Sequence, residues 1–252
     1  EVANLLKNLR DRFTFKLINI IQGPEYLMDN KFFKKDIFNL CYNEAFYNII
    51  VSPYLEENMK FYNIPNTKII PIGPDSRIFY DDFQERDNNI LIPCRKEEMK
   101  GTDLAIALVP ILKQKGWKVY GYGDLLKEEN IDLFDNFYGR LSRNEVADLM
   151  RKNKLLLDLS IYEGLGLSPI ESAMCGCIPV ISNRGGNQSL EKYLGKNVPW
   201  ITVKSSINFA DILKTIDSAN ITATIEFRKN YEKVLSELDF NKGAQELIAL
   251  LK

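Results

Sequence analysis

Apolar positions in this chain come mostly in short unbroken runs, with helical-period segments between them. Runs without alternation are what strands buried on both faces show. Leu17-Ile18-Asn19-Ile20-Ile21 closes a strand predicted over Phe15 to Ile21, which ends at the turn residues Gln22-Gly23-Pro24. Further strands are predicted at Ile49 to Ser52, Lys68 to Ile72, Ile90 to Pro93 and Trp117 to Asp124, the last including its terminal glycine turn. The same pattern marks Lys154 to Ser160, Cys177 to Ser182 and Trp200 to Val203, with a shorter strand and loop at Asn136 to Ser142. Helices are predicted at Val2 to Arg12, Lys31 to Tyr47, Pro53 to Tyr62, Leu104 to Gln114 and Arg143 to Lys152, with Ser142 as a cap. Ile207 to Ala219 and Ile221 to Lys252 also read as helical, the second broken near Phe240 to Gly243. Strands alternating with helices imply parallel α/β units.

One junction stands out: the strand Lys154 to Ser160 runs into Tyr162-Glu163-Gly164-Leu165-Gly166-Leu167-Ser168-Pro169-Ile170-Glu171. Gly164 and Gly166 let main-chain N–H groups approach an anion closely. A helix opened by Ser168 and Pro169 would add unpaired N–H groups and a dipole, a phosphate site flanked by two carboxylates. The same string also reads as a capping box, with Ser168 as N-cap, Pro169 at the first helical position and Glu171 reaching back, for roughly 1 kcal/mol. Spacing alone leaves both readings open. Upstream, Arg95 and Lys100 lie five residues apart across a strand-to-helix turn. Two basic residues in a polar loop are often only a solvated face, but together they can also neutralise a diphosphate.

The totals narrow the choices. The chain has 252 residues, 45% apolar and 27% charged, with a net charge of −1, enough for one large or two modest soluble domains. Near-neutral charge argues against nucleic acid as the main partner. There is no apolar run of membrane-span length and no opening signal peptide, so a cytoplasmic protein is expected; peripheral association with the inner face of a membrane stays open. The chain opens on Glu1 rather than Met and reads as cut from a longer one. Its four cysteines show no framework spacing, and Cys175-Gly176-Cys177 reads as small residues between a helix and a strand. With no histidine, a Ser-His-Asp triad or a histidine-held metal is excluded for this chain. No metal site is expected, since the Asp-x-Asp anchor is missing as well.

Glu163 and Glu171 bracketing Gly-Leu-Gly-Leu-Ser-Pro-Ile closely resemble the E-x7-E signature of the retaining glycosyltransferases of family 4, which have the GT-B fold. Arg95 to Lys100-Gly101 is similar to that family's R-x4-K-G, with Cys94 where a glycine usually precedes the Arg. Ile49 to Ser52 and Asn63 to Asp75 resemble the end of its amino-terminal domain and the hinge, with Ile72 in place of the usual Asn. The resemblance implies two Rossmann-like parallel-sheet domains. Residues 1–85 would be a truncated acceptor-side domain and hinge, 86–220 a complete nucleotide-sugar-binding domain, and 221–252 helices crossing back toward the first.

It further implies a metal-independent transfer of a sugar from a nucleoside diphosphate sugar to an acceptor hydroxyl in glycan or polysaccharide assembly, with no separate cofactor. Glu163, Arg95 and Lys100 would be catalytic. Glu171, Gly164, Leu165, Gly166, Leu167, Arg140, Leu141 and Gly121 would bind the donor. The acceptor, whether glycan, lipid-linked or protein, is left unassigned. The family's amino-terminal histidine has no counterpart here, where Gln22 and Glu25 stand at the matching strand end. Ser189 stands where members often place a carboxylate beyond the paired glycines. A non-catalytic nucleotide-sugar-binding subunit that needs a partner chain, and a GT-B epimerase or phosphorylase, are the alternatives.

Overall fold

A computed structural model describes residues 9, 17–23, 42, 45–70, 72–125, 128–182, 184–187, 208–222, 228–229 and 238–251. The strand expected at Trp200 to Val203 and nearly all of the helices at Val2 to Arg12 and Lys31 to Tyr47 fall outside these residues, as do Glu25 and Ser189. The chain divides into two compact units, Glu1–Pro71 and Ile72–Lys252.

In the first unit β1 (Ile18–Ile21), β2 (Tyr47–Ile50) and β3 (Thr67–Ile69) form a parallel sheet in that order. Between β2 and β3 lies α1 (Pro53–Phe61). The strand expected to run to Ser52 stops at Ile50, because the Ser52 hydroxyl caps α1 by accepting from the Leu55 N–H. Pro53 fills the first turn, where a missing N–H costs nothing, and Leu55 and Met59 bury one face. Asn48, buried in the middle strand, donates from Nδ2 to the carbonyls of Tyr42 (2.7 Å) and Pro65 (2.9 Å).

The second unit holds β4 (Asp87–Cys94), α2 (Thr102–Gln114), β5 (Lys118–Gly123), β6 (Asn136–Phe137), α3 (Arg143–Lys152), β7 (Asn153–Asp158), α4 (Leu167–Met174) and β8 (Ile178–Ile181). After these come α5 (Phe209–Thr222) and α6 (Phe240–Leu251). The strands are all parallel and ordered β6-β5-β4-β7-β8. In order of appearance that is 3-2-1-4-5, the doubly wound arrangement whose direction reverses between its first and fourth strands. Ile90, Ile92, Val119, Leu155, Leu157 and Val180 supply the sheet's share of the core. Leu108 and Leu112 of α2 and Ile212 and Ile216 of α5 pack on it. The cap expected at Ser142 is present and forms half of a capping box: Ser142 Oγ accepts from the Glu145 N–H, and the Glu145 carboxylate accepts from the Ser142 N–H.

One boundary differs from that expected: residues 72–85, assigned above to the first domain and its hinge, fall within the second compact unit. Phe79 is fully buried there, and Asp81 is anchored at 3.0 Å from Arg86 and 3.2 Å from Arg228. Gly73 passes so close to the Leu238 carbonyl that no Cβ would fit. The break expected near Phe240 to Gly243 falls at Leu238 and Asp239, immediately before α6 opens at Phe240. Asp239 Oδ1 accepts from the Asn241 N–H there, and its Oδ2 accepts from the Ser76 N–H. Among the described residues no helix is long and apolar enough to cross a membrane.

The Arg86 and Arg228 side chains are only 5% and 4% exposed, so Asp81 compensates two buried cations. Asp81→Ala is therefore expected to lower unfolding free energy by about 3–5 kcal/mol. The urea midpoint measures this, and a loss under 1 kcal/mol would show that water already screens the cluster.

Candidate nucleotide-sugar site

In a sheet of this order a crevice opens beyond the carboxyl ends of β4 and β7, because the connections leaving them turn to opposite sides. Arg95 follows β4 directly, and Glu163 lies five residues beyond β7. The two loops are pressed together. Gly101, with φ of +63°, ends the short turn Glu98–Lys100, and a Cβ on it would lie 2.1 Å from the Leu159 carbonyl oxygen. The Met99 carbonyl accepts from the Ile161 N–H at 2.7 Å, and the Ser160 hydroxyl reaches the Lys100 carbonyl at 3.4 Å. This lacing brings Lys100 Nζ to 2.9 Å from Glu163 Oε1.

Arg95 is fixed at both ends. Its N–H donates to Thr102 Oγ1 at 2.9 Å, and Nη2 donates to Ser168 Oγ at 2.5 Å. Nη1 stands 3.8 Å from Asp158 Oδ2. Burial works against the guanidinium charge, but Asp158 first, with Tyr122, Glu163 and Glu171, raises its pKa overall. Cys94 turns its side chain into the core, where burial pushes the thiol up to about 12.

The helix after the glycine loop is built differently from either sequence reading. It opens at Leu167, with Gly166 as N-cap at φ +80°, and no side chain caps it. The capping box is not formed. Ser168 lies inside the first turn, its hydroxyl occupied by Arg95, and Glu171 faces Arg143 Nη2 at 4.0 Å. Pro169 contributes no N–H, so Leu167 and Ser168 carry the first amides of α4. A second glycine turn braces the loop: the Gly186 N–H donates to the Glu163 carbonyl at 2.5 Å. A Cβ on Gly186 would lie 2.0 Å from the Gly164 carbonyl oxygen. Leu165 is buried, whereas Leu167 is 45% exposed.

Burial dominates at Glu171 and raises its pKa, with Arg143 and then Arg95 opposing. The remaining candidates lie farther along the sheet. Gly121 sits inside β5 opposite Ile92 and Phe137, and the rings of Phe137 and Phe134 occupy the space a side chain would need. The turn proper comes at Gly123, with φ of +104°, where a Cβ would meet the Cys94 carbonyl at 2.2 Å. Arg140 and half-buried Leu141 follow the edge strand β6, two strands from β4. Arg140 is exposed and pairs with Asp124 at 2.8 Å.

Sequence reasoning overlooked Asp158, Ser160, Arg143 and the role of the Ser168 hydroxyl. The signal for Asp158 was a carboxylate ending the run Leu155-Leu156-Leu157, since a charge in a strand buried on both faces requires partners. For Ser168 the competing cap chemistry concealed the acceptor.

An α/β unit with the doubly wound strand order, with two cations and a helix N-terminus without a side-chain cap at its crevice, is a domain of Rossmann-like type. The family described as glycosyl transferases group 1 matches residues 78–233, and the chain belongs to that family. A glycogen synthase from Mycoplasma mobile is 30% identical over 195 residues, which is 72% of this chain and 36% of the relative. The chain thus spans about a third of that curated relative. Among solved structures, sucrose-phosphate synthase from Thermosynechococcus elongatus superposes with a TM-score of 0.75 at 18% identity, over 99% of this chain and 70% of its own. The Anabaena protein HepE, solved with UDP and glucose, gives 0.70 at 17% identity, over 94% of this chain and 71% of its own. At these identities the likeness concerns the fold, which is α/β of GT-B type with Rossmann-like parallel sheets.

The raised pKa of Glu171 means its ionised form is disfavoured by folding. That penalty is fully present above the native pKa, fades as pH falls through it and is gone below the ordinary glutamate value. Glu171→Gln should therefore raise the thermal midpoint at pH 7 and lose this advantage in acid. A lower midpoint at pH 7 would assign Glu171 a stabilising role instead.

Proposed function

We propose that this chain is the donor-binding part of a retaining, metal-independent glycosyltransferase of the family 4 type. It would move a sugar from a nucleoside diphosphate sugar to an acceptor hydroxyl. The observation that carries the reading is the convergence of Arg95, Lys100 and the open N-terminus of α4 at the reversal of strand order, with Glu163 and Glu171 on either side. HepE, a structural neighbour, was solved with UDP and glucose, which is the ligand chemistry proposed here.

In this mechanism the bond between the sugar's anomeric carbon and the diphosphate breaks, and the electron pair leaves with the diphosphate. Arg95, Lys100 and the first amides of α4 stabilise the negative charge that builds on the departing oxygen. The acceptor oxygen bonds to the same face of the sugar, and its proton passes to the departing phosphate. Lys100, held by Glu163 without ligand, exchanges that carboxylate for phosphate and frees Glu163 to accept hydrogen bonds from sugar hydroxyls. Glu171 accepts from the ribose. Leu165 and Gly164 contribute main chain, Leu167 contributes an apolar edge, and the loops carrying Gly123 and Arg140-Leu141 line the side toward the base.

A thermal-shift panel of UDP, GDP, ADP and dTDP sugars tests the binding step. A donor at a hundred times its Kd adds about 2.7 kcal/mol of stability, and Glu171→Ala should abolish the ribose-dependent part. Arg95→Ala and Lys100→Ala should each lower kcat/KM about 100-fold. Activity should survive EDTA, and NMR of the product should show the donor's anomeric configuration. Binding with neither transfer nor hydrolysis would instead indicate a nucleotide-sugar-binding subunit. Isomerised donor without acceptor, or phosphorolysis, would indicate an epimerase or a phosphorylase.

A further inference from the structure

Asp158 is the last residue of β7 and only 2% exposed, in register with Ile181 of β8 and preceded by three buried leucines. An apolar side chain there would complete the core, whereas a buried carboxylate costs several kcal/mol unless compensated. The compensation is lopsided. Oδ1 accepts from both the N–H (3.0 Å) and the hydroxyl (2.5 Å) of Ser160, while Oδ2 is buried with no hydrogen-bond partner. Opposite it stands Arg95 Nη1, also buried and also without a hydrogen-bond partner, at 3.8 Å. That gap is about 0.9 Å longer than a charge-assisted hydrogen bond. The other arm of the same guanidinium is held by Ser168 in the first turn of α4.

We infer that Asp158 is a positioning residue for donor binding: held rigid through Ser160, it orients the guanidinium of Arg95 toward the diphosphate without touching the ligand. The inference rests on the reading of Arg95 as a diphosphate contact. With Nη1 turned to Asp158 and one Nη2 hydrogen committed to Ser168, the fork is fixed in two directions and its remaining donors are left for phosphate oxygens. A carboxylate in this place serves the site at the expense of the core.

The test uses the full chain and calorimetry with the tightest binder among UDP, GDP, ADP and dTDP, alongside the corresponding unphosphorylated nucleoside. Asp158→Asn keeps an Oδ1 acceptor for Ser160 and removes the charge. It should weaken the diphosphate roughly tenfold, as expected for one charge-assisted contact, and change nucleoside affinity less than twofold. Asp158→Glu should recover part of the loss. Arg95→Ala should weaken the diphosphate further, and adding Asp158→Asn to it should have no additional effect. Equal losses for diphosphate and nucleoside, wild-type affinity in Asp158→Asn, or additive losses in the double variant would overturn the proposal. A wild-type chain that binds none of these diphosphates would instead overturn the donor-site reading beneath it. Should Asp158→Asn fail to fold, Ser160→Ala removes one donor from the carboxylate and keeps its charge. A selective loss for the diphosphate is then expected, and equal losses for both ligands would overturn the inference.

Discussion

The contact between Gly101 and the Leu159 carbonyl is the constraint from which the rest of the site follows. At 2.1 Å from an added Cβ, the approach is open only to a residue with no side chain, and the left-handed φ of +63° favours the same residue. Because the β4–α2 loop can lie flat on the strand end of β7, the Ile161 N–H reaches Met99 and Lys100 reaches Glu163. The same residue also opens α2, so one glycine sets both the start of a core helix and the spacing of two charged loops. A second pair of glycines repeats the device on the other side, where Gly186 rests on Gly164.

The crevice gives up stability in two places. The first is the entrance of α4. A capping side chain in place of Gly166 would satisfy an amide and stabilise the helix by about a few tenths of a kcal/mol over glycine, less whatever strain the left-handed φ of +80° imposes. Instead the N-cap is glycine, Pro169 supplies no donor, and the one hydroxyl in the first turn is engaged by Arg95. The second is carboxylate burial, with Asp158 at a strand end fit for an apolar residue and Glu171 raised in pKa by its surroundings. Departures of this kind from local consistency are expected where a fold carries a ligand.

How far the sequence was legible follows the same line. Strands buried on both faces have no helical alternative at their length, so Leu155 to Asp158 and Ile178 to Ile181 could be located to within a residue or two. The pairing of Lys100 with Glu163 could not be read from spacing, because it depends on a 63-residue loop closing at the Gly101 contact. The start of α4 was misplaced because Ser-Pro-x-Glu satisfies the rules for a capping box, and only the competing demand of Arg95 for an acceptor decides against it. The boundary expected near residue 85 falls in the polar and charged stretch Asp81 to Asn89, which as sequence looks like a linker. Burial of Asp81 between Arg86 and Arg228, far apart in sequence, turns that polarity into an anchor.

On the proposed reading, the balance of charge in the crevice also accounts for how a doubly charged ligand would enter it. Arg95, Lys100 and Arg143 stand opposite Asp158, Glu163 and Glu171 at 3.8, 2.9 and 4.0 Å. The cations are thus held near neutral surroundings without ligand, which spares the fold the repulsion of a bare basic pocket. Only the Lys100 pair is at hydrogen-bond distance, so it alone must be broken for an incoming anion to be accepted. Its carboxylate then faces the crevice with its lone pairs free, and hydroxyl groups can satisfy them. A diphosphate that carries a sugar supplies both halves of that exchange, whereas inorganic phosphate supplies one and would leave Glu163 unpaired beside a newly neutralised lysine.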